Sequence, residues 1–123
     1  MISESYRALQ TKMHENPDYG VASLFYAPQV ADLLVKSDAR SILDYGAGKC
    51  RLAMALERIL PSDFDCTYYA YEPAIAHLAA IPEPREFVAC VDVLEHVEPE
   101  HLDAVLDDLQ RVTLKFGFFS VHT

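Results

Sequence analysis

Positive charge is scarce in this 123-residue chain. Ten Lys and Arg stand against 19 Asp and Glu, a formal net charge of −9 at pH 7. Gripping a phosphate backbone needs a basic face, so the balance speaks against a nucleic-acid partner. No apolar run approaches the roughly 18–20 residues that span a bilayer, so no membrane partner is expected. The N-terminus, Met1-Ile2-Ser3-Glu4-Ser5, is polar with an early acid and does not read as a signal peptide. The three cysteines, Cys50, Cys66 and Cys90, are odd in number and widely spaced. They fit a reduced cytoplasm better than a disulfide framework or a zinc site. The third glycine of a dinucleotide fingerprint is missing, because Arg51 stands where G-x-G-x-x-G requires it. Lys49 is followed by Cys50, so there is no G-K-[ST] and no P-loop. His96, Glu98, Glu100 and His101 match neither H-E-x-x-H nor a zinc-finger spacing, and no metal is expected.

What is present reads as one soluble globular domain over residues 1–123, since 51% of residues are apolar and neither repeat nor linker divides the chain. Ser3 to Glu15 reads as a helix with Tyr6, Leu9 and Met13 on one face, broken by Asn16-Pro17-Asp18-Tyr19-Gly20. A second helix is expected from Pro28, a first-turn residue, to Lys36, with Val30, Leu33 and Leu34 inward. Ser41 to Tyr45 is a short strand, and Arg51 to Leu60 a helix with Leu52, Leu56 and Ile59 at helical spacing. Cys66 to Tyr71 is β-branched and aromatic, a strand. Pro73 to Ala80 is at most a short helix. Glu86 to Val91 is the apolar run of a strand buried on both faces. Pro99 opens an amphipathic helix with Leu102, Val105, Leu106, Leu109 and Val112. Phe116 to Val121 is the last strand. Apolar strands alternating with helices predict an α/β domain with a parallel sheet.

In such sheets ligands bind beyond the carboxyl ends of the strands, and the unusual residues fall there. Asp44-Tyr45-Gly46-Ala47-Gly48 turns the first strand into a helix. Glycines permit a sharp turn and close approach of a ligand. A phosphate cradle would avoid Asp44, whereas a cationic ligand would welcome it. Glu72 ends the second strand, and a carboxylate there can accept two hydrogen bonds from a ribose diol. Taken singly it reads as a solvated loop acid; after a Gly-rich turn and a second strand, the ribose role is the better reading. Asp92-Val93-Leu94-Glu95-His96-Val97 ends the third strand. A carboxylate buried at a strand end is costly unless paired, so Asp92 is expected to meet a cationic group. Glu95 fits a helix-start acid as well as a catalytic one. His96 fits a proton acceptor near neutral pH and, equally, a packed histidine.

Ile42-Leu43-Asp44-Tyr45-Gly46-Ala47-Gly48, then Tyr71-Glu72-Pro73, then Cys90-Val91-Asp92-Val93-Leu94-Glu95-His96-Val97, resembles the class I S-adenosylmethionine-dependent methyltransferases, in their small-molecule-methylating branch. The resemblance runs from about Ser41 to Thr123. It implies a Rossmann-like sheet flanked by helices, with S-adenosylmethionine as cofactor and a small-molecule methyl acceptor. It implies that Asp44, Tyr45, Gly46, Ala47 and Gly48 hold the methionine end, Glu72 and Pro73 the ribose, and Asp92 and Val93 the region of the methionine ammonium. Residues 41–123 would then be the cofactor-binding core and residues 1–40 an N-terminal helical lid or cap, with Tyr19-Gly20 and Phe25-Tyr26 over the methionine end. Methyl transfer is a direct displacement that needs mainly alignment. A base is needed only for a protonated nucleophile, and His96 and Glu95 are the candidates.

The chain departs from the family twice. Only Pro73 to Arg85 separates Glu72 from the third strand, so the middle βα unit that reads adenine is expected to be reduced. The family's C-terminal strand hairpin is not expected within these residues, and Phe116, Phe118 and Phe119 are then expected at an open apolar edge. A second copy of the chain, or sequence beyond Thr123, is expected to cover that edge. A degenerate cofactor-binding or partner-binding module without catalysis is the competing reading.

Overall fold

The computed structural model describes residues 21–121. The helix expected over Ser3–Glu15 and the Tyr19-Gly20 part of the cap lie outside the described residues. The elements in order are α1 (Val21–Ser37), β1 (Ser41–Tyr45), α2 (Arg51–Ile59), β2 (Thr67–Tyr71), β3 (Arg85–Val91), α3 (Pro99–Val112) and β4 (Thr113–Ser120). Short 3-10 turns at Ala76–Leu78 and Leu94–His96 follow β2 and β3. The architecture is α/β, with one four-stranded, all-parallel sheet in the order β2-β1-β3-β4. Among the described residues no helix is long and apolar enough to cross a membrane.

Both faces of the sheet are covered, which is why β3 is a run of apolar side chains. On one face α1 and α2 pack Ala27, Val30, Ala31, Leu34, Leu52 and Leu56 against Ile42, Phe87 and Ala89. On the other, α3 packs Val105, Leu109 and Val112 against Leu43, Tyr45, Val88 and Cys90. Alternate residues of β1 and β3 thus feed two separate cores, as the two-residue period of a strand requires.

The helices differ from expectation in what they bury. Pro28 lies inside α1, seven residues after its start, and its ring points to solvent. The small residues Ala27 and Ala31, with Val30 and Leu34, make the buried stripe, while Leu33 is exposed. In α2 the buried pair is Leu52 and Leu56; Ile59 is exposed. Pro99 opens α3 as expected, the first turn being where a missing N–H costs nothing. Thr113 ends it by bonding its hydroxyl to the Leu109 carbonyl at 2.7 Å. The chain then enters β4 with no loop, so this strand starts three residues earlier than its aromatics suggest.

Between β2 and β3 only the turn Ala76–Leu78 forms, so the middle unit carries neither a strand nor an α-helix. The Glu72 N–H donates to the Leu78 carbonyl at 2.8 Å and folds this segment back on the end of β2. Among the described residues β2 and β4 are the two edges of the sheet. Along β4, Phe116 and Phe119 remain 47% and 46% exposed on opposite faces. Phe118 packs into the core beneath α1, with its ring 5.6 Å from that of Tyr26.

Candidate functional site

The strand order reverses at β1. The chain steps from β1 outward to β2, then returns to lay β3 on the other side of β1. The carboxyl ends of β1 and β3 meet at this switch point, where open α/β sheets place their ligands. Asp44 to Gly48, Glu72 and Asp92 to His96 all gather along this edge of the sheet.

The turn after β1 is held by its own amides. Gly46 and Ala47 N–H both donate to the Tyr71 carbonyl, at 2.8 and 3.0 Å. Gly48 N–H donates to Glu72 Oε1 at 2.9 Å. A phosphate cradle presents such amides to its ligand; here three successive residues direct theirs at β2. Gly46 adopts φ +83°, which side chains resist, and a Cβ there would lie 2.4 Å from Val93 Cγ2. Gly46 is thus the contact that joins the turn after β1 to the turn after β3. Val93 is buried in this packing, as is Ala47.

Asp44 is 2% exposed and Glu72 0%. The Tyr68 hydroxyl donates to Asp44 Oδ2 at 2.5 Å. Removal from water dominates and, against the Tyr68 bond and with Glu72 nearby, pushes the Asp44 carboxyl up to about 7. Burial also raises Glu72, opposed by the amides of Ala74 (3.2 Å to Oε2) and Gly48. Pro73, next in the chain, is buried. Cys50, in a left-handed conformation at the start of α2, lies in hydrogen-bonding reach of Tyr68. Burial, with Asp44 and Glu72 near, raises its thiol, so the helix N-terminus does not make it a thiolate.

The other expected site residues lie as follows. Tyr45 turns its side chain away to the α3 face, where its hydroxyl donates to Asp108 Oδ2 at 2.7 Å and its ring lies 4.9 Å from that of Tyr71. Its share in a ligand site is limited to backbone. Among the described residues Asp92 does not meet the expected cation. Ser120 of β4 donates its hydroxyl to Asp92 Oδ1 at 2.8 Å and accepts the Asp92 N–H at 3.0 Å. Asp92 is only half-buried, so one hydroxyl and water suffice in place of a counter-charge. Its left-handed φ of 51° ends β3. Glu95 and His96 sit half-buried on the turn Leu94–His96, with Glu95 Oε1 out of reach of water. Phe25 is largely exposed at the start of α1, edge-on to Tyr26. Glu98, which caps α3, and Glu100 and His101 in its first turn bring their ligand atoms within 4.8 Å of one another, at a helix end whose dipole disfavours cations.

Two residues at the site were not singled out from sequence. Tyr68 stands two residues before Ala70, the register partner of Asp44, and so shares its face. Its long side chain reaches the diagonal neighbour on the adjacent strand. Ser120 lies opposite Val91 in the β3–β4 register, next to Asp92. Both were visible as hydroxyl residues in strands; only the register joins them to the acids.

Compared with family models, curated proteins and solved structures, the chain matches none of them.

Proposed function

We propose that this chain is an S-adenosylmethionine-dependent methyltransferase acting on a small-molecule acceptor. One observation carries the reading. At the switch point the Gly-rich turn directs its amides to the end of β2, and two carboxylates, Asp44 and Glu72, lie buried beside it. Such a site repels phosphate and suits a ligand with a sulfonium, an ammonium and a ribose diol. Asp44, Gly46 and Gly48 face the methionine end, Glu72 and Pro73 the ribose, and Asp92 the ammonium. Ala47 and Val93 support the turns by packing.

The protein's contribution to the reaction is alignment of acceptor, methyl and leaving sulfur. Where the acceptor carries a proton, His96 or Glu95, on the turn beyond β3, is the group placed to take it. The free thiols of Cys50, Cys66 and Cys90 support residence in the reducing cytoplasm. The exposed phenyls of β4 support a second copy of the chain covering that edge.

Isothermal titration with S-adenosylmethionine is the test. Binding is expected at micromolar ligand, and Asp44→Ala and Glu72→Ala should abolish it. No heat at high micromolar ligand overturns the reading. A second reading is favoured by the reduced segment between β2 and β3, which leaves one flank of the site to a single 3-10 turn. On that reading the chain binds the cofactor without transferring its methyl group. Cofactor binding with no methyl transfer to any of a panel of small acceptors would select it.

A further inference from the structure

Strand β4 ends at the candidate site. Ser120, its last residue, lies opposite Val91 in the register with β3 and so meets Asp92, the first residue beyond that strand. Three contacts join the two. The Asp92 N–H donates to the Ser120 carbonyl at 3.0 Å and to the Ser120 hydroxyl oxygen at 3.0 Å. The Ser120 hydroxyl donates in turn to Asp92 Oδ1 at 2.8 Å.

These contacts do different work. The carbonyl bond joins backbone to backbone and does not depend on the side chain. The hydroxyl accepts from the Asp92 backbone and donates to the Asp92 carboxylate, so it closes a ring through one residue. That ring fixes the Asp92 side-chain torsions against its own N–H. Asp92 is half-buried and stands on a left-handed turn, at φ 51°. A side chain so placed has several staggered rotamers to choose from, and a bond to an ionised carboxylate is strong enough to select one. Oδ1 is the oxygen engaged, and Oδ2 lies outside the ring.

We infer that Ser120 is a positioning residue: its hydroxyl sets the direction of the Asp92 carboxylate, and through it the preference of the site for a ligand that carries an ammonium group. The inference rests on the cofactor site proposed above, in which Asp92 faces the ammonium. A carboxylate already held in one rotamer meets its ligand without losing side-chain freedom on binding. The nucleoside end stands apart from this device. Glu72 follows β2, which β1 separates from β3, and its own oxygens are held by the amides of Gly48 and Ala74. Loss of the Ser120 hydroxyl is therefore felt by a ligand through its amino group and not through its ribose.

The test is calorimetric titration of the full chain with two ligands. One is S-adenosylhomocysteine; the other is its analogue with hydrogen in place of the amino group. The unaltered protein is expected to prefer the amine. Ser120→Ala should weaken the amine-bearing ligand about three- to tenfold, the worth of one hydrogen bond, and leave the deaminated one unchanged. Ser120→Thr, which keeps the hydroxyl, should hold the preference. Its isostere Ser120→Val should lose it, and this β-branched pair, suited to a strand, carries the test if Ser120→Ala does not fold. Equal weakening of both ligands, or Thr and Val variants that behave alike, overturns the positioning role and leaves the cofactor reading standing. So does an unaltered protein that binds the two ligands equally. No binding of either ligand overturns both.

Discussion

Substituting Gly46 by Ala tests whether the turns after β1 and β3 are joined by one close contact. The added Cβ would sit at φ +83°, 2.4 Å from Val93 Cγ2. The backbone term for a side chain in left-handed territory is about 1–2 kcal/mol. Forcing a methyl into a filled core adds about 1–3 kcal/mol. Gly46→Ala should therefore lose roughly 2–5 kcal/mol of stability, read from the urea midpoint at an unchanged slope. Val93→Ala alone should cost about 1–3 kcal/mol, because Val93 is buried among Leu43, Tyr45 and Val97. Combined, the two should not add. Removing the Val93 methyls opens room for the new Cβ, so the double variant should be about 1–3 kcal/mol more stable than the sum of the single losses. The backbone term should remain. If Gly46→Ala costs the same with Val93 and with Ala at position 93, the steric contact is refuted and only the dihedral is at work.

Three further outcomes follow from the same physics. Burial raises Asp44 above its unfolded value, so its stabilising share is complete below the unfolded pKa and is lost as pH climbs through about 7; between pH 5 and 8 that loss is about 2–3 kcal/mol. Asp44→Asn should lack this slope in denaturant titrations, and parallel stability–pH curves for the two proteins would overturn the assignment. Tyr45→Phe should cost only about 0.5–1.5 kcal/mol, because Asp108 keeps its bonds from Arg111 at 2.8 and 3.0 Å; a loss above about 3 kcal/mol would mean that Asp108 depends on Tyr45 alone. Leu109→Ala should cost about 2–5 kcal/mol and Leu106→Ala, on the exposed side of α3, under about 0.5 kcal/mol; comparable losses would show that α3 packs on a different stripe.

Elements set by a single local rule were legible. Proline at the first turn and a three-to-four spacing of apolar residues placed α3 from Pro99 to Val112, and the Asp44–Gly48 turn stood out by its glycines and its acid. The start of α1 was not legible, because Pro28 suits a first turn and is equally tolerated inside a helix when its ring faces water. The entry into β4 was hidden because Thr113 serves at once as helix cap and as first strand residue. The partners of the acids required the register. Asp44 finds Tyr68 across a diagonal, and Asp92 finds the Ser120 hydroxyl where a cation was expected. No spacing in the chain encodes either pairing, since each joins strands whose alignment is settled only when the sheet forms.

The topology has a kinetic corollary. The central pairing sets Ile42 against Phe87, forty-five residues apart in the chain, and no two neighbouring strands are joined by a hairpin. Every ladder must therefore close a long loop before it gains any bonds. Chains dominated by such non-local pairings fold in milliseconds to seconds rather than microseconds. During that interval β4, with its phenyls on both faces, has no partner until β3 is in place. The sheet should refold as a single slow step, and yield should fall with protein concentration as unpaired β4 edges meet one another.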